Sequence, residues 1–129
     1  MKKLLIAAGI VLFLLFVMIF RPVSIPTKNN TVEVTGVVEE LREGGRFDLV
    51  FRFKDDPTRY YVNRGLETTF NLEDARSLML GKVATIKYIK HWTPLDHKGE
   101  VKHIGEVIFD GEILYTEFPE KKGKYQVPN

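Results

Sequence analysis

The residues with the clearest potential for chemistry are three histidines in the second half of the chain. His91, His97 and His103 are the only histidines in the sequence, and Asp96 lies among them. Imidazole and carboxylate groups are common zinc ligands, so a zinc-dependent hydrolase is one hypothesis for this stretch. The histidines are six residues apart, which matches no common metal motif. We therefore expect neither a metal nor another cofactor.

Aromatic residues offer a second kind of chemistry, the stacking of a planar ligand. Trp92 is the only tryptophan and lies beside His91, while Tyr60 and Tyr61 are adjacent in a short predicted strand. Because side chains alternate across a strand, one of these two tyrosines must point outward. The candidate ligand-binding residues are Tyr60, Tyr61, His91, Trp92 and His97.

Other catalytic groupings are missing from the sequence. Cysteine does not occur, which excludes a thiolate zinc site, a disulfide and a cysteine nucleophile. The two serines, Ser24 and Ser77, do not lie in a nucleophile-elbow pattern. No glycine-rich phosphate loop, zinc-protease helix motif or EF-hand pattern is present. The sequence therefore favours a binding protein over an enzyme.

Alternating apolar residues predict the strands that would position the candidate residues. Phe47, Leu49, Phe51 and Phe53 alternate with other residues, which predicts a strand with these four side chains in the core. Gly36 interrupts an earlier strand pattern, and a glycine there is typical either of a bulge or bend or of a weak point in an ordinary strand.

One short helix is predicted between the third and fourth strands. Asn71 is a suitable N-cap, Leu72, Ala75, Leu78 and Met79 share one helical face, and Gly81 follows where a left-handed C-terminal residue is common. Further along the chain, Asp110-Gly111 predicts a type I′ hairpin turn.

The order strand, strand, strand, helix, strand, strand, with Gly36 in the first strand and Gly81 before the fourth, resembles the oligonucleotide/oligosaccharide-binding (OB) fold. The resemblance implies a mainly β fold, a small barrel of five to six strands with one short helix between strands 3 and 4. Residues 91–100 would then form the loop between strands 4 and 5, which usually flanks the ligand in this fold. Alternatively, Trp92 covers one end of the barrel.

The N-terminal residues predict a membrane segment. Residues 4–20 are all apolar and would span roughly 25 Å as a helix. An uncleaved anchor is favoured over a signal peptide because the run is long and no small-residue cleavage site follows it. We thus expect an anchor over residues 1–21, a linker over 22–30, an OB-like barrel over 31–118 and a flexible tail over 119–129.

The distribution of charge along the chain limits the kind of partner that the domain can bind. The first thirty residues hold four of the 19 basic residues and none of the 17 acidic ones, so residues 31–129 carry a formal net charge of −2. A nucleic-acid-binding domain normally shows the opposite bias. A single-stranded nucleic-acid binder therefore remains only the alternative hypothesis. It would stack bases on Tyr60 or Tyr61 and on Trp92, and it would bind phosphates through Arg52, Arg59 and Arg64.

The chain as a whole resembles small bacterial envelope proteins that carry one anchor and an OB-like domain. The apolar N-terminal segment and a near-neutral β domain without catalytic groupings lead us to expect a non-catalytic module. We expect its N-terminal helix to hold it in the inner membrane, with a protein or a glycan as its partner. Lys2 and Lys3 precede the apolar run, and a short basic N-terminus favours a cytoplasmic N-terminus with the domain outside the cytoplasm.

Overall fold

The computed structural model of the chain describes residues 1–20, 22, 24–96 and 98–122. The fold is mainly β, as predicted, and contains a closed barrel of five strands with a sixth strand outside it. Its elements in chain order are α1 (Lys2–Ile19), β1 (Thr31–Gly44), β2 (Asp48–Phe53), β3 (Arg59–Val62), α2 (Gly65–Thr68), α3 (Leu72–Met79), β4 (Val83–Ile89), a 3₁₀ turn (Pro94–Asp96), β5 (Val101–Phe109), β6 (Glu112–Thr116) and α4 (Pro119–Lys122).

Strand β1 takes part in both halves of the barrel. Its residues 31–37 pair with β4 and its residues 38–44 pair with β2, with a register irregularity between Val38 and Glu40. A Cβ atom at Gly36 would lie 3.2 Å from the side chain of Phe53. Glycine therefore permits the close approach of β2 where β1 changes partner, and the interruption predicted at Gly36 is a feature of the barrel rather than an ordinary weak point.

Parallel pairing of β3 with β5 closes the barrel, and in this register Tyr61 lies opposite His103. Strand β6 pairs with β5 and extends the sheet beyond the barrel. The turn between these two strands has positive φ at both Asp110 and Gly111, as a type I′ turn requires. The predicted hairpin is confirmed.

All five barrel strands and α3 contribute side chains to the core. Leu49, Phe51 and Phe53 are at most 2% exposed, as the alternating pattern predicts. The prediction was wrong for Phe47, which is 48% exposed and has a φ of 61°. The turn that follows β1 uses Phe47 in a left-handed conformation, so β2 begins one residue later and this side chain does not face the core.

Two short helices lie between β3 and β4, where one was predicted. The N-cap of α3 is confirmed, because Asn71 Oδ1 accepts a hydrogen bond from the Asp74 N–H at 3.2 Å. Ala75 and Met79 are buried, whereas Leu78 is 42% exposed. Helix α2 spans a single turn, too short to produce an apolar period that the sequence could reveal.

Helix α1 is long and apolar enough to cross a membrane, and none of its residues is buried against the rest of the chain. Its length and composition are those of a membrane anchor and equally those of a signal sequence near an N-terminus. Arg21, the predicted last residue of the anchor, and Val23 lie outside the described residues.

The segment before β1 is folded against the barrel. Pro26 is buried, and a Cβ at Gly105 of β5 would lie 3.1 Å from the Pro26 ring. Asn30 holds this segment through two hydrogen bonds, accepting from the Thr27 N–H at 2.6 Å and donating to the Ile25 carbonyl at 2.9 Å. This part of the predicted linker therefore packs as part of the domain.

The end of the described chain also packs on the barrel. Phe118 is 4% exposed, and α4 follows it, with Lys121 Nζ 2.9 Å from Glu106 Oε1. The segment predicted as a flexible tail thus begins with one helical turn. Residues 123–129 lie outside the described residues.

Candidate functional site

Tyr61 and His103 meet because β3 and β5 pair in parallel. The Tyr61 hydroxyl lies 3.3 Å from His103 Nδ1, and the two rings meet edge to face with centroids 5.1 Å apart. Burial, followed by the negative charges of Asp48 and Glu117, raises the pKa of the Tyr61 phenol. The phenol is therefore neutral at physiological pH and able to donate a hydrogen bond.

Glu117, just after β6, completes this group of side chains. Its Oε2 atom lies 2.7 Å from His103 Nε2. Burial raises the pKa of Tyr115, and the charge of Glu117 and a hydrogen bond to it raise that pKa further. We call the three residues Tyr61, His103 and Glu117 the closure cluster, since they lie where β5 closes the barrel.

Two grooves meet at the closure cluster. The first has a volume of about 570 Å³ and includes Arg42, Asp48, Arg59, Tyr61 and Asn63 in its lining. The second has a volume of about 480 Å³ and includes Ser24, Pro26, Tyr61, Asn63, His103 and Glu117. Because Tyr61 and Asn63 line both, the two form one open surface, which we call the Tyr61 groove.

Two polar side chains of the Tyr61 groove make no polar contact with any residue that the structure describes. Among the residues that the structure describes, the Arg59 guanidinium and the Asn63 amide form no hydrogen bond or ion pair. By contrast, Arg42 Nε pairs with Glu40 Oε1 at 3.2 Å. Arg59 and Asn63 can therefore hydrogen-bond a ligand without first breaking a contact within the protein.

Tyr60 is a core residue, and Tyr61 is the outward-facing member of the pair. Tyr60 is 4% exposed, with its ring between those of Phe53 and Tyr88 at centroid distances of 5.5 and 5.8 Å. Its hydroxyl donates to Asp56 Oδ2 at 2.7 Å. Burial and then the neighbouring Asp56 raise the pKa of Tyr60. Its ring has no face available for stacking a ligand.

The other three candidate ligand-binding residues are His91, Trp92 and His97. His91 lines a small cavity of about 120 Å³ together with Tyr61 and His103, so the structure does bring two of the three histidines to one place. Trp92 is 51% exposed, so about half of its surface faces solvent. His97 lies outside the described residues.

The described part of the chain offers no basis for a metal site. Within it, no three histidine, cysteine, aspartate or glutamate residues come together in an arrangement that could hold an ion. His103 is engaged by a phenol on one nitrogen and a carboxylate on the other. The closure cluster is therefore a hydrogen-bonding array with donors and acceptors at the floor of an open groove.

Sequence reasoning did not place His103 and Glu117 in a site. The sequence offers His103 only as a possible zinc ligand, and no pattern in it points to Glu117. The parallel pairing of β3 with β5 brings His103 to Tyr61, a residue 42 positions away. The return of the chain after β6 brings Glu117 to His103. No local pattern in the sequence reports such a pairing.

The arginines of the nucleic-acid hypothesis differ in their availability. Arg52 is 2.9 Å from both Glu39 and Glu40, and Arg64 donates to both carboxylate oxygens of Glu67. Hydrogen bonding and the charges of the two glutamates raise the pKa of Arg52 despite some desolvation. Of these three arginines, Arg59 alone is left for a phosphate.

No protein-family model matches this chain, and no significant match is found among curated proteins. Function is therefore inferred from the fold and from the geometry of the Tyr61 groove.

Proposed function

We propose that this chain is a membrane-anchored, non-catalytic binding module of the bacterial cell envelope whose barrel is of the OB type. The apolar α1 supports the anchor. The circular strand order β1-β2-β3-β5-β4 and the parallel closure by β3 and β5 support the OB assignment. Both proposals agree with the resemblance drawn from the sequence.

The ligand-binding surface is the Tyr61 groove, and its ligand is a glycan. The observation that carries this proposal is the presence of a half-buried aromatic residue between a guanidinium and an amide that have no partner within the described chain. Sugars present hydroxyl groups that need both donors and acceptors, together with apolar ring faces that pack on aromatic side chains. Arg59, Asn63, Glu117 and Tyr61 supply these groups.

The alternative ligand, single-stranded nucleic acid, fits this surface less well. Stacking platforms for nucleic acid need exposed aromatic rings and free cations along a groove. Tyr60 is buried and two of the three candidate arginines are already paired. The acidic residues also outnumber the basic ones over residues 31–129, which opposes binding to a polyanion.

Co-sedimentation with purified peptidoglycan sacculi tests the glycan proposal. The full chain in detergent micelles should pellet with the sacculi. Arg59→Ala and Asn63→Ala should each weaken binding roughly tenfold, as expected for the loss of about 1.4 kcal/mol. Lys54→Ala is the matched control for Arg59→Ala, because it removes one exposed positive charge from the turn after β2 and should bind normally.

The opposite results would reject the glycan. Absence of the wild-type chain from the pellet, or equal weakening by the Lys54 control, would show that the Tyr61 groove does not recognise this class of ligand. Binding of labelled oligonucleotides at low salt, lost in Arg59→Ala, would favour the alternative.

The location of the domain has its own test. We propose that the barrel lies outside the cytoplasm, because Lys2 and Lys3 precede the apolar run. Protease added to intact spheroplasts should then remove a C-terminal tag. Protection of the tag until the cells are lysed would place the domain in the cytoplasm.

A further inference from the structure

The loop between β4 and β5 starts beside the segment that leads from α1. Strand β4 ends at Ile89, whose partner across the sheet is Thr31, the first residue of β1. One residue later, the Lys90 N–H donates to the Asn30 carbonyl at 2.7 Å. The 3₁₀ turn Pro94–Asp96 also lies against α1, with Cα atoms within 8 Å. This loop therefore emerges at the end of the barrel that joins the membrane helix.

Two large apolar side chains of this loop are exposed at this end of the barrel. Trp92 is 51% exposed and Leu95 is 76% exposed. Exposing such side chains to water costs free energy in proportion to their area. Exposed lysines flank them, namely Lys28, Lys90 and Lys98.

The loop is held in shape by hydrogen bonds. Asp96 accepts from the N–H groups of Glu100 and Val101, both at 3.0 Å. The Asp96 N–H itself donates to the Thr93 carbonyl at 3.0 Å. The apolar side chains are thus displayed by an ordered turn, which lowers the entropy cost of placing them in a new environment.

The length of chain between α1 and the barrel limits how far the two can separate. Six peptide units join Ile19, the last residue of α1, to Ile25, and they can span about 20 Å at most. The headgroup region of one leaflet is about 5–8 Å thick. If α1 spans a bilayer, Ile25 therefore lies no more than about 15 Å beyond the headgroup region, which keeps the neighbouring loop within reach of the lipid.

We propose that Trp92 and Leu95 form a membrane-docking surface that inserts into the headgroup region of the bilayer beside α1. Tryptophan is enriched at this depth because its ring is amphipathic. The flanking lysines meet the phosphate groups of the lipids. The surface therefore holds one end of the barrel against the membrane and sets which way the Tyr61 groove faces. This inference rests on α1 spanning a membrane.

The sole tryptophan of the chain, Trp92, makes the test direct. The full chain is reconstituted into lipid nanodiscs, and its fluorescence is measured with lipids that carry bromine atoms near the headgroup end of the acyl chains. Docking predicts strong quenching by the brominated lipids. It also predicts a shift of the emission to shorter wavelength, and weaker quenching by aqueous acrylamide than in the detergent-unfolded chain.

Two relocated tryptophans provide matched controls in a Trp92→Phe background. Leu95→Trp places the probe on the same loop and should be quenched by the brominated lipids like the wild type. Val83→Trp places it at the opposite end of β4, where the native valine is 57% exposed, and should be quenched several-fold less.

The outcomes separate the docking proposal from the anchor. A chain that enters the nanodiscs but shows equal bromine quenching at positions 83, 92 and 95, or none, would overturn docking and leave the anchor intact. A chain that does not enter the nanodiscs would overturn both. Because two loop positions are probed, one variant that fails to fold does not remove the test.

Discussion

His103 Nε2 lies 2.7 Å from Glu117 Oε2, a contact that ties the strand closing the barrel to the segment after β6. Both side chains are mostly buried, with 9% and 24% of their side-chain surface exposed. The Glu117 main chain is held as well, since its N–H donates to the Gly105 carbonyl at 2.7 Å. Glu117 is therefore placed by the backbone before its side chain contacts His103.

A double-mutant cycle should detect this contact. His103→Ala, Glu117→Ala and the double variant should show a coupling of about 1 kcal/mol in the free energy of unfolding, the usual range for a partly buried hydrogen bond. The measurement is urea unfolding of the full chain in micelles, followed by circular dichroism of the sheet. Additive effects of the two substitutions would mean that the side chains do not interact.

Glu106 is a buried acid held by two lysines. Its carboxylate is fully buried and lies 2.9 Å from the Nζ atoms of both Lys87 and Lys121. Burial alone would raise the pKa of Glu106, but the hydrogen bonds and charges of the lysines outweigh burial and lower it. Removing this charge leaves two lysines with no carboxylate between them.

Glu106→Gln should lower the free energy of unfolding by about 2–4 kcal/mol at neutral pH. The folded-state pKa lies below the ordinary value of 4.5, so the contribution is complete above that value and is lost as the pH falls through the lowered pKa. The variant should therefore lose less stability in acid than the wild type. Glu120→Gln, an exposed neighbour, should change stability by less than about 0.5 kcal/mol; an equal loss there would contradict the prediction.

Three tyrosines should make the chain sensitive to alkali. The pKa values of Tyr60, Tyr61 and Tyr115 are raised above the ordinary value of 10, in each case first by burial. A raised pKa favours the neutral phenol in the folded state, so this contribution to stability is complete below pH 10 and is lost as the pH rises above it. Absorbance at 295 nm should show these phenols ionising together with unfolding. A smooth titration near pH 10 with the sheet intact would contradict this.

The N-cap of α3 should contribute measurably to the free energy of unfolding. Asn71→Ala removes the hydrogen bond to the Asp74 N–H and should lower the free energy of unfolding by about 1 kcal/mol. Ser77→Ala is the control, because Ser77 is exposed on the same helix and makes no cap. The prediction fails if urea unfolding shows the same midpoint for Asn71→Ala and the wild type.

The elements whose conformation is decided by residues close together in the sequence could be predicted from the sequence. The alternation at Leu49, Phe51 and Phe53 located β2, Asn71 located the start of α3, and Asp110-Gly111 located the last hairpin. In each case the side chains that decide the conformation lie within a few residues of one another. The prediction that Phe47 lies in the core failed because the turn sets its left-handed φ. The apolar pattern indicates only that the residue is hydrophobic.

The site was less predictable because its residues are far apart in the sequence and meet only through strand pairing. Adjacency of Tyr60 and Tyr61 implied that one faces outward, but only the register with β2 and β5 decides that it is Tyr61. The exposure of Trp92 was likewise open, since the loop's direction depends on how β4 and β5 are joined to the barrel.

By itself, the sequence determined the apolar N-terminal helix, the mainly β character of the domain and most of its turns, because these follow from local periodicity and from glycine, proline and asparagine at particular positions. The tertiary structure decided which residues meet. The parallel pairing of β3 with β5 brings Tyr61 to His103, and the return of the chain after β6 brings Glu117 to both. Such contacts are selected by burial of the whole core and not by the residues that make them, so they become visible only once the barrel is closed.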